Sequence, residues 1–369
     1  MNMFETAPTG VASQLKLDAH WMPYTANRNF QRDPRLIVAA QGNYLTDDKG
    51  RQIFDALSGL WTCGAGHTRQ SITEAIARQA GVLDYSPAFQ FGHPLSFQLA
   101  EKIAELTPGD LDHVFYTNSG SECADTALKM VRAYWRLKGQ ASKTKIIGRA
   151  RGYHGVNIAG TSLGGVNGNR KMFGQLLDVD HLPHTVLPAN VFSQGLPEQG
   201  GIALADEMLK LIELHDASNI AAVIVEPLAG SAGVLPPPKG YLKRLREICT
   251  QHNILLIFDE VITGFGRMGA MTGAEGCGGG AAGDLPDLHE PAHAGIRCGV
   301  PPRLHLLGAS AGLRRRAGDA GAAGTREPGA GGRRTGPALR AHAARHQGHP
   351  SRGRHSQLRV GRRDPDRPA

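Results

Sequence analysis

The sequence predicts an α/β fold with a mostly parallel sheet and flanking helices, and two observations carry that expectation. Four short apolar runs, HVFYT (113–117), TKIIGR (144–149), AAVIVEP (221–227) and ILLIFDEVI (254–262), read as strands buried on both faces. Amphipathic helical patterns lie between them. In SECADTALKMVRAYWRLKG (121–139), Ala124, Ala127, Leu128, Val131, Trp135 and Leu137 recur at helical spacing. Strand followed by helix, repeated, implies parallel strands joined by right-handed crossovers.

A chain of 369 residues can bury a large core in one or two domains. Its net charge of +8 would suggest a nucleic-acid or membrane partner if it were spread evenly. It is not: residues 1–269 hold 25 basic and 25 acidic residues, whereas residues 270–369 hold 16 Arg, no Lys and 8 acidic residues. Five cysteines (Cys63, Cys123, Cys249, Cys277, Cys298) are an odd number without metal-type spacing, which suits a reducing cytoplasm and predicts no metal site. The opening MNMFETAPTG has no basic region followed by an apolar run, so no signal peptide is expected. No stretch of ~18 apolar residues is present to span a membrane.

Beyond Gly269 the pattern changes. No Phe, Tyr or Trp follows Phe265, and Gly, Ala, Arg, Pro and His dominate. Such a segment buries too little apolar surface to offset the entropy of ordering it. Two readings compete, a natural disordered basic tail and GC-rich coding DNA translated out of frame. Back-translation favours the second. With suitable synonymous codons, starting one base later turns 305–321 into TYSAHPLACAAGLATL and 352–369 into VVDIRNCGLAGAIQIAP. Both shifted texts are patterned and apolar, and both need the same shift.

The candidate functional residues sit where strands end. In LLIFDEVITGFGR, four apolar residues deliver Asp259 to the carboxyl end of a buried strand, where open α/β sheets bind ligands. Alone, such an acid more often caps a loop; the functional reading is a carboxylate that keeps a pyridine nitrogen protonated. Ser119, Gly120 and Ser121, in TNSGSECADTALKM, follow one strand and open a helix. Free amides and the Ser121 hydroxyl there suit a phosphate, although a plain serine cap accounts for one of the serines. RARGYHGVNIAG sets Tyr153 and His154 between glycines, where a ring can stack on a flat ligand. Glu226, in VIVEPLAG, is a second strand-end acid. SLGGVNGN brushes against a dinucleotide glycine fingerprint, but it neither follows a strand directly nor opens a convincing helix, so that match is rejected.

Taken in order, NSGSEC, GYHG, VEPLAGSAGV and FDEVITGFGRMG resemble the class III aminotransferases of pyridoxal-phosphate (PLP) fold type I. HWMPYTANRNF and ALSGLWTCGAGH are more narrowly similar to the ω-amino acid:pyruvate (β-alanine:pyruvate) branch. The resemblance runs from about residue 15 to Ala274, and the shifted tail texts are similar to that family's C-terminal part. It implies residues 1–60 as part of a small domain, 61–269 as an incomplete PLP-binding large domain, and 270–369 as an aberrant tail in place of a missing or scrambled C-terminal small domain. It implies PLP as cofactor, an amino donor and pyruvate as substrates, and a homo-oligomer. Gly120 and Ser121 would contact the phosphate, Tyr153 would lie on the ring with His154 beside it, and Asp259 would pair with the ring nitrogen. Glu226 would bond near the ring hydroxyl, Val261 would pack beneath the ring, and Trp61 would shape the substrate pocket, its plainer reading being a core aromatic.

One departure bears on activity. The family's Schiff-base lysine stands in an AKxxTNG segment shortly after TGAE. Here GCGGGAAGDLPDLHEPAHAG comes after Glu275, and no lysine occurs after Lys243. The expectation is an aminotransferase by descent with no catalytic residue in place, and therefore inactive. Two alternatives stay open: a non-catalytic remnant with a nucleic-acid-binding tail, against which the lack of base-stacking aromatics argues, or another fold type I PLP reaction.

Overall fold

The computed structural model describes residues 15–109 and 111–278, together with the backbone of 295–299 and 306–310. All of these belong to one unit, Met1–Arg315. The readings placed on residues 311–369, including the nucleic-acid tail, lie outside the described residues.

A short helix, α1 (Asn27–Arg32), leads into an antiparallel meander of β1 (Ile37–Gln41), β2 (Tyr44–Asp47) and β3 (Gln52–Phe54). A single turn, α2 (Ser58–Trp61), precedes α3 (Gln70–Ala80) and α4 (Pro94–Leu106). Then come α5 (Gly120–Leu137), β4 (Lys145–Arg149), α6 (Ile158–Leu163), α7 (Asn167–Phe173), β5 (Val179–Leu182), α8 (Gly201–His215), β6 (Ile220–Val225), α9 (Tyr241–Gln251) and β7 (Leu255–Phe258). A one-turn helix, α10 (Gly273–Gly276), and an antiparallel pair, β8 (Gly295–Gly299) and β9 (Leu306–Ser310), complete the order.

The central sheet is parallel, in the order β5-β4-β6-β7. Alternation along each strand splits the core into two layers. Ile146, Ala222, Ile224, Leu255 and Ile257 face α5 and α6, meeting Ala127, Leu128, Val131, Trp135, Ala159 and Leu163. Ile147, Val223, Val225 and Leu256 face α8 and α9, meeting Met208, Tyr241, Leu245 and Ile248. Covering on both faces explains why these strands read as continuous apolar runs; every residue of β6 is buried. Leu137, counted among the apolar positions of α5, is exposed because it falls two residues past Trp135 and so on another face. Packing also continues past Gly269, with Thr272, Gly273 and Cys277 buried.

Two further expectations are corrected. HVFYT (113–117) forms no strand among the described residues. Its side chains have strand character, but a strand exists only where a neighbour completes its ladder; here Tyr116 instead donates its hydroxyl to Ser96 O at 2.7 Å. SLGGVNGN does open a helix, α7, yet that helix follows α6 rather than a strand, so the dinucleotide reading still lacks its context.

Candidate functional site

From β4 the chain goes on to β5 on one side of the sheet, while β6 leads to β7 on the other. In a parallel sheet, connections that diverge in this way leave a crevice at the carboxyl ends of the two strands between them. A cavity of about 180 Å³ opens there. Gly120, Ser121, Tyr153, His154, Glu226, Asp259 and Val261, all singled out from sequence, line it together with Gly155, Ile262 and Thr263, which were not. The Gly155 signal was available, as the glycine closing GYHG. Ile262 and Thr263 simply follow Val261 around a turn that sequence does not reveal.

One wall is the start of α5. Ser119 is the cap, in extended backbone, with its hydroxyl accepting from Glu122 N at 3.2 Å. The plain capping role therefore falls to Ser119. The amides of Gly120 and Ser121 head an 18-residue helix whose first N–H groups have no partner within the helix and favour an anion. Ser121 Oγ accepts from Val156 N at 2.9 Å, which ties the Tyr153–Val156 loop to the helix and leaves the hydroxyl proton free to donate. The approach is close enough to require glycine. Gly155 has φ +98°, and a Cβ there would lie 2.5 Å from Ser121 Oγ and 2.7 Å from Ser121 Cα.

The two acids line the same cavity. Asp259, one residue past β7, donates its amide to Val225 O at 2.9 Å. Its Oδ2 lies 2.8 Å from His154 Nδ1, and its Oδ1 accepts from Val261 N at 3.2 Å. With a carboxylate partner, Nδ1 is assigned as the protonated nitrogen. His154 is buried, and among the described residues its Nε2 has no partner; Thr263 Oγ1, also on the cavity wall, has none there either. Glu226, one residue past β6, spends both oxygens on backbone: Oε1 accepts from Tyr153 N at 2.9 Å and Oε2 from Gly230 N at 3.0 Å. It thereby holds two loops of the rim at once. Buried Arg149 donates from Nη2 to Glu226 O at 2.8 Å, a contact sequence reading missed.

Burial pushes the Glu226 carboxyl above the ordinary carboxylate range; the charge of Asp259 adds to this, while His154 and Arg149 oppose it. A raised native value means the folded chain keeps this proton at pH values where the unfolded chain has lost it. Glu226 therefore lowers stability as pH rises from about 4.5 through its native value. In urea melts across that window, Glu226→Gln is expected to remove this downward slope relative to the parent. Parallel curves for parent and variant would contradict the assignment.

Trp61 does not line the cavity. It sits on α2, where Ser58, Gly59, Leu60 and Trp61 have φ of 49°, 59°, 60° and 73°, a left-handed turn. Each non-glycine residue in that conformation costs about 1–2 kcal/mol. Asp55 supports the turn, its Oδ1 accepting from Leu57 N at 3.2 Å and its Oδ2 from Gly59 N at 2.7 Å. His67 Nε2 lies 2.7 Å from the same Oδ2 and holds the Asp55 carboxyl below its ordinary range. From the other side, Arg267 donates to Trp61 O at 2.8 Å and to Ile262 O at 2.7 Å, with its guanidinium carbon 5.6 Å from the indole.

The cavity thus offers amides and a hydroxyl for an anion together with a buttressed carboxylate. Tyr153 and Val261 line the same cavity. That set fits a flat ring bearing a phosphate on one side and a basic nitrogen on the other.

Comparison with known proteins agrees. The family described as aminotransferase class-III matches residues 25–293. The chain is 78% identical over 278 residues, 75% of its length, to the omega-amino acid–pyruvate aminotransferase of Pseudomonas putida. It is 75% identical over 265 residues, 72% of its length, to the beta-alanine–pyruvate aminotransferase of Pseudomonas aeruginosa. The chain spans 62% and 59% of the lengths of these two relatives. A solved (S)-enantioselective omega-transaminase from Thermomicrobium roseum is 32% identical, with a TM-score of 0.73 over 83% of this chain and 66% of that one. The parallel sheet with flanking helices is the fold of PLP-dependent transaminases. Sheet order, cavity and sequence point the same way: the chain belongs to the class-III aminotransferase family.

Proposed function

We propose that this chain holds PLP at the carboxyl ends of β4, β6 and β7, and that its lineage moves an amino group from an ω-amino acid such as β-alanine to pyruvate. One observation carries the reading: seven residues from four separate segments converge on a single cavity with the donor set PLP requires. Class III aminotransferases use PLP, whose protonated ring, when bound, draws electrons away from the substrate's amino carbon.

Each residue has a physical task. The Gly120 and Ser121 amides and the Ser121 hydroxyl hold the phosphate. Asp259 keeps the ring nitrogen protonated, and His154 fixes the orientation of that carboxylate. Tyr153 would stack on the ring and Val261 would pack against it. Glu226 lies near the ring hydroxyl while holding the Tyr153 loop in place. Among the described residues no group of three or more His, Cys, Asp or Glu could hold a metal ion.

The chain acts as a homo-oligomer in this reading. Tyr85, Phe89, Phe91 and Phe97 are all mostly exposed within one short segment, more apolar surface than a monomer usually leaves to water. A cytoplasmic location is supported by the four free thiols among the described residues. No described helix is long and apolar enough to cross a membrane.

The test is a spectral titration with PLP followed by dialysis. Saturable binding of about one equivalent per chain, with displacement by inorganic phosphate, is the expected outcome. A folded chain that shows no saturable binding up to millimolar PLP would sink the proposal.

A further inference from the structure

We propose that Lys143 is a positioning residue that acts as a built-in monovalent cation. Its ammonium fills a cage of three carbonyls and an indole face, and so fixes the stagger of β4, β6 and β7, whose opposite ends present the cavity residues.

Lys143 stands just before β4 and is buried, 4% exposed. Its Nζ donates to Ala217 O at 2.7 Å, Ile220 O at 3.2 Å and Asn253 O at 2.9 Å, and lies 4.5 Å from the centre of the Trp135 ring. An ammonium has three N–H donors and no acceptor, so a carbonyl for each donor and an aromatic face beside them satisfy it. Burial lowers the amine to about 8 while the Asp216 charge opposes this, and the side chain still carries its proton at neutral pH.

The carbonyls come from two connections. Ala217 and Ile220 lie where α8 leads into β6, and Asn253 lies where α9 leads into β7. One ammonium therefore gathers the amino ends of three strands. The ladder is irregular at this corner. Lys145 pairs with Ile220 but Ile146 with Ala222, so β6 advances two residues against one and Ala221 has no counterpart on β4. A bulge leaves main-chain groups unpaired, and the register needs another constraint to hold it. Trp135 takes up one such group, donating its Nε1 to Ala221 O at 2.8 Å while offering its ring to Lys143. Thr144 N and Lys145 N both donate to Asn219 O at 3.0 Å, closing the same corner. Beyond the bulge the register runs on, with Ile147 opposite Val223 and Val223 opposite Leu256. A stagger set at the amino ends is thereby carried to Glu226 and Asp259, one residue past β6 and β7, and to Tyr153 in the loop after β4.

The experiment uses the full chain isotopically labelled at lysine Nζ, with the Lys143 signal assigned by Lys143→Met. In the parent, the Lys143 ammonium protons are expected to exchange with water about 100-fold more slowly than those of exposed lysines. Lys143→Met keeps the apolar stem but leaves the carbonyls without their donor. Amide exchange at Thr144 and Lys145 should then accelerate by about tenfold. Exchange at Tyr153 and Gly230, which Glu226 holds at the far ends of the strands, should accelerate by about threefold. In Lys143→Ala the emptied cage should take up propylammonium, which replaces the missing atoms, and return these rates to those of the parent; tetramethylammonium, with no N–H, should not. Should Lys143→Ala fold too poorly for exchange, its refolding yield in propylammonium against tetramethylammonium reads the same cage. An unprotected ammonium in the parent, or equal effects of the two cations on Lys143→Ala, would overturn the cage. Unchanged rates at Tyr153 and Gly230 in Lys143→Met would overturn its role in positioning the cavity. None of these readouts needs PLP, so a parent chain that binds no cofactor defeats the function proposed above, while exchange still decides the role of Lys143.

Discussion

Given β-alanine, pyruvate and added PLP, this chain is expected to transaminate more slowly than the omega-amino acid–pyruvate relatives by a factor of at least about 10²–10⁴, the usual cost of losing one general base. The reaction needs an amine at the cavity to anchor the cofactor and carry a proton, and no lysine occurs after Lys243. Among the described residues that line the cavity there is no lysine. Lys143, a buried described lysine, cannot stand in. Burial lowers Lys143 to about 8, but its Nζ donates to Ala217 O, Ile220 O and Asn253 O. Ile220 starts β6 and Asn253 lies just before β7, so this amine is fixed at the amino ends of the strands, away from the site. Lys239 pairs with Glu198. An amine-plus-pyruvate assay, with borohydride reduction and peptide mapping, checks the expectation. Steady turnover together with a reduced adduct on Lys239 or Lys243 would show that a substitute lysine serves.

Asp259→Asn is expected to weaken PLP binding by about 100-fold while leaving the fold intact. The substitution keeps the shape that Val261 N and His154 contact but removes the charge. Hydrogen bonds to charged groups are worth about 1.5–3 kcal/mol, and 1.4 kcal/mol is tenfold in affinity. The same variant offers an internal control. Asp259 is one of the groups holding the Glu226 carboxyl up, so Glu226 should titrate lower in Asp259→Asn, although burial still keeps it raised. Titration of PLP into both proteins, with circular dichroism to confirm folding, measures the effect. Equal affinity would mean that Asp259 does not pair with the ring nitrogen.

How much of this was legible varies by element. TKIIGR and ILLIFDEVI contain β4 and β7, and AAVIVEP covers all of β6 but Ile220, although the last strand ends at Phe258 and the following residues turn. SECADTALKMVRAYWRLKG contains nearly all of α5. Each is a local pattern whose period matches its burial. HVFYT was misjudged because side-chain character says nothing of whether a partner strand is present. Helix α7 was missed because three glycines and two asparagines are poor helix formers in GGVNGN, and the surrounding fold overrides that preference.

From the sequence alone came the fold class, the family, and the residues at the carboxyl ends of the strands, because continuous apolar runs and strand-end acids are written in consecutive residues. Tertiary structure alone decided that Glu226 spends both oxygens on two separate loops, that His154 backs Asp259, and that Trp61 stands off the cavity on a left-handed turn. It alone brought Arg267 to Trp61, 206 residues away. The physical reason is the range of the interaction. Periodicity records which face of an element is apolar, whereas a hydrogen bond between distant segments depends on the register and stagger with which strands and loops meet, and no local run of residues encodes that.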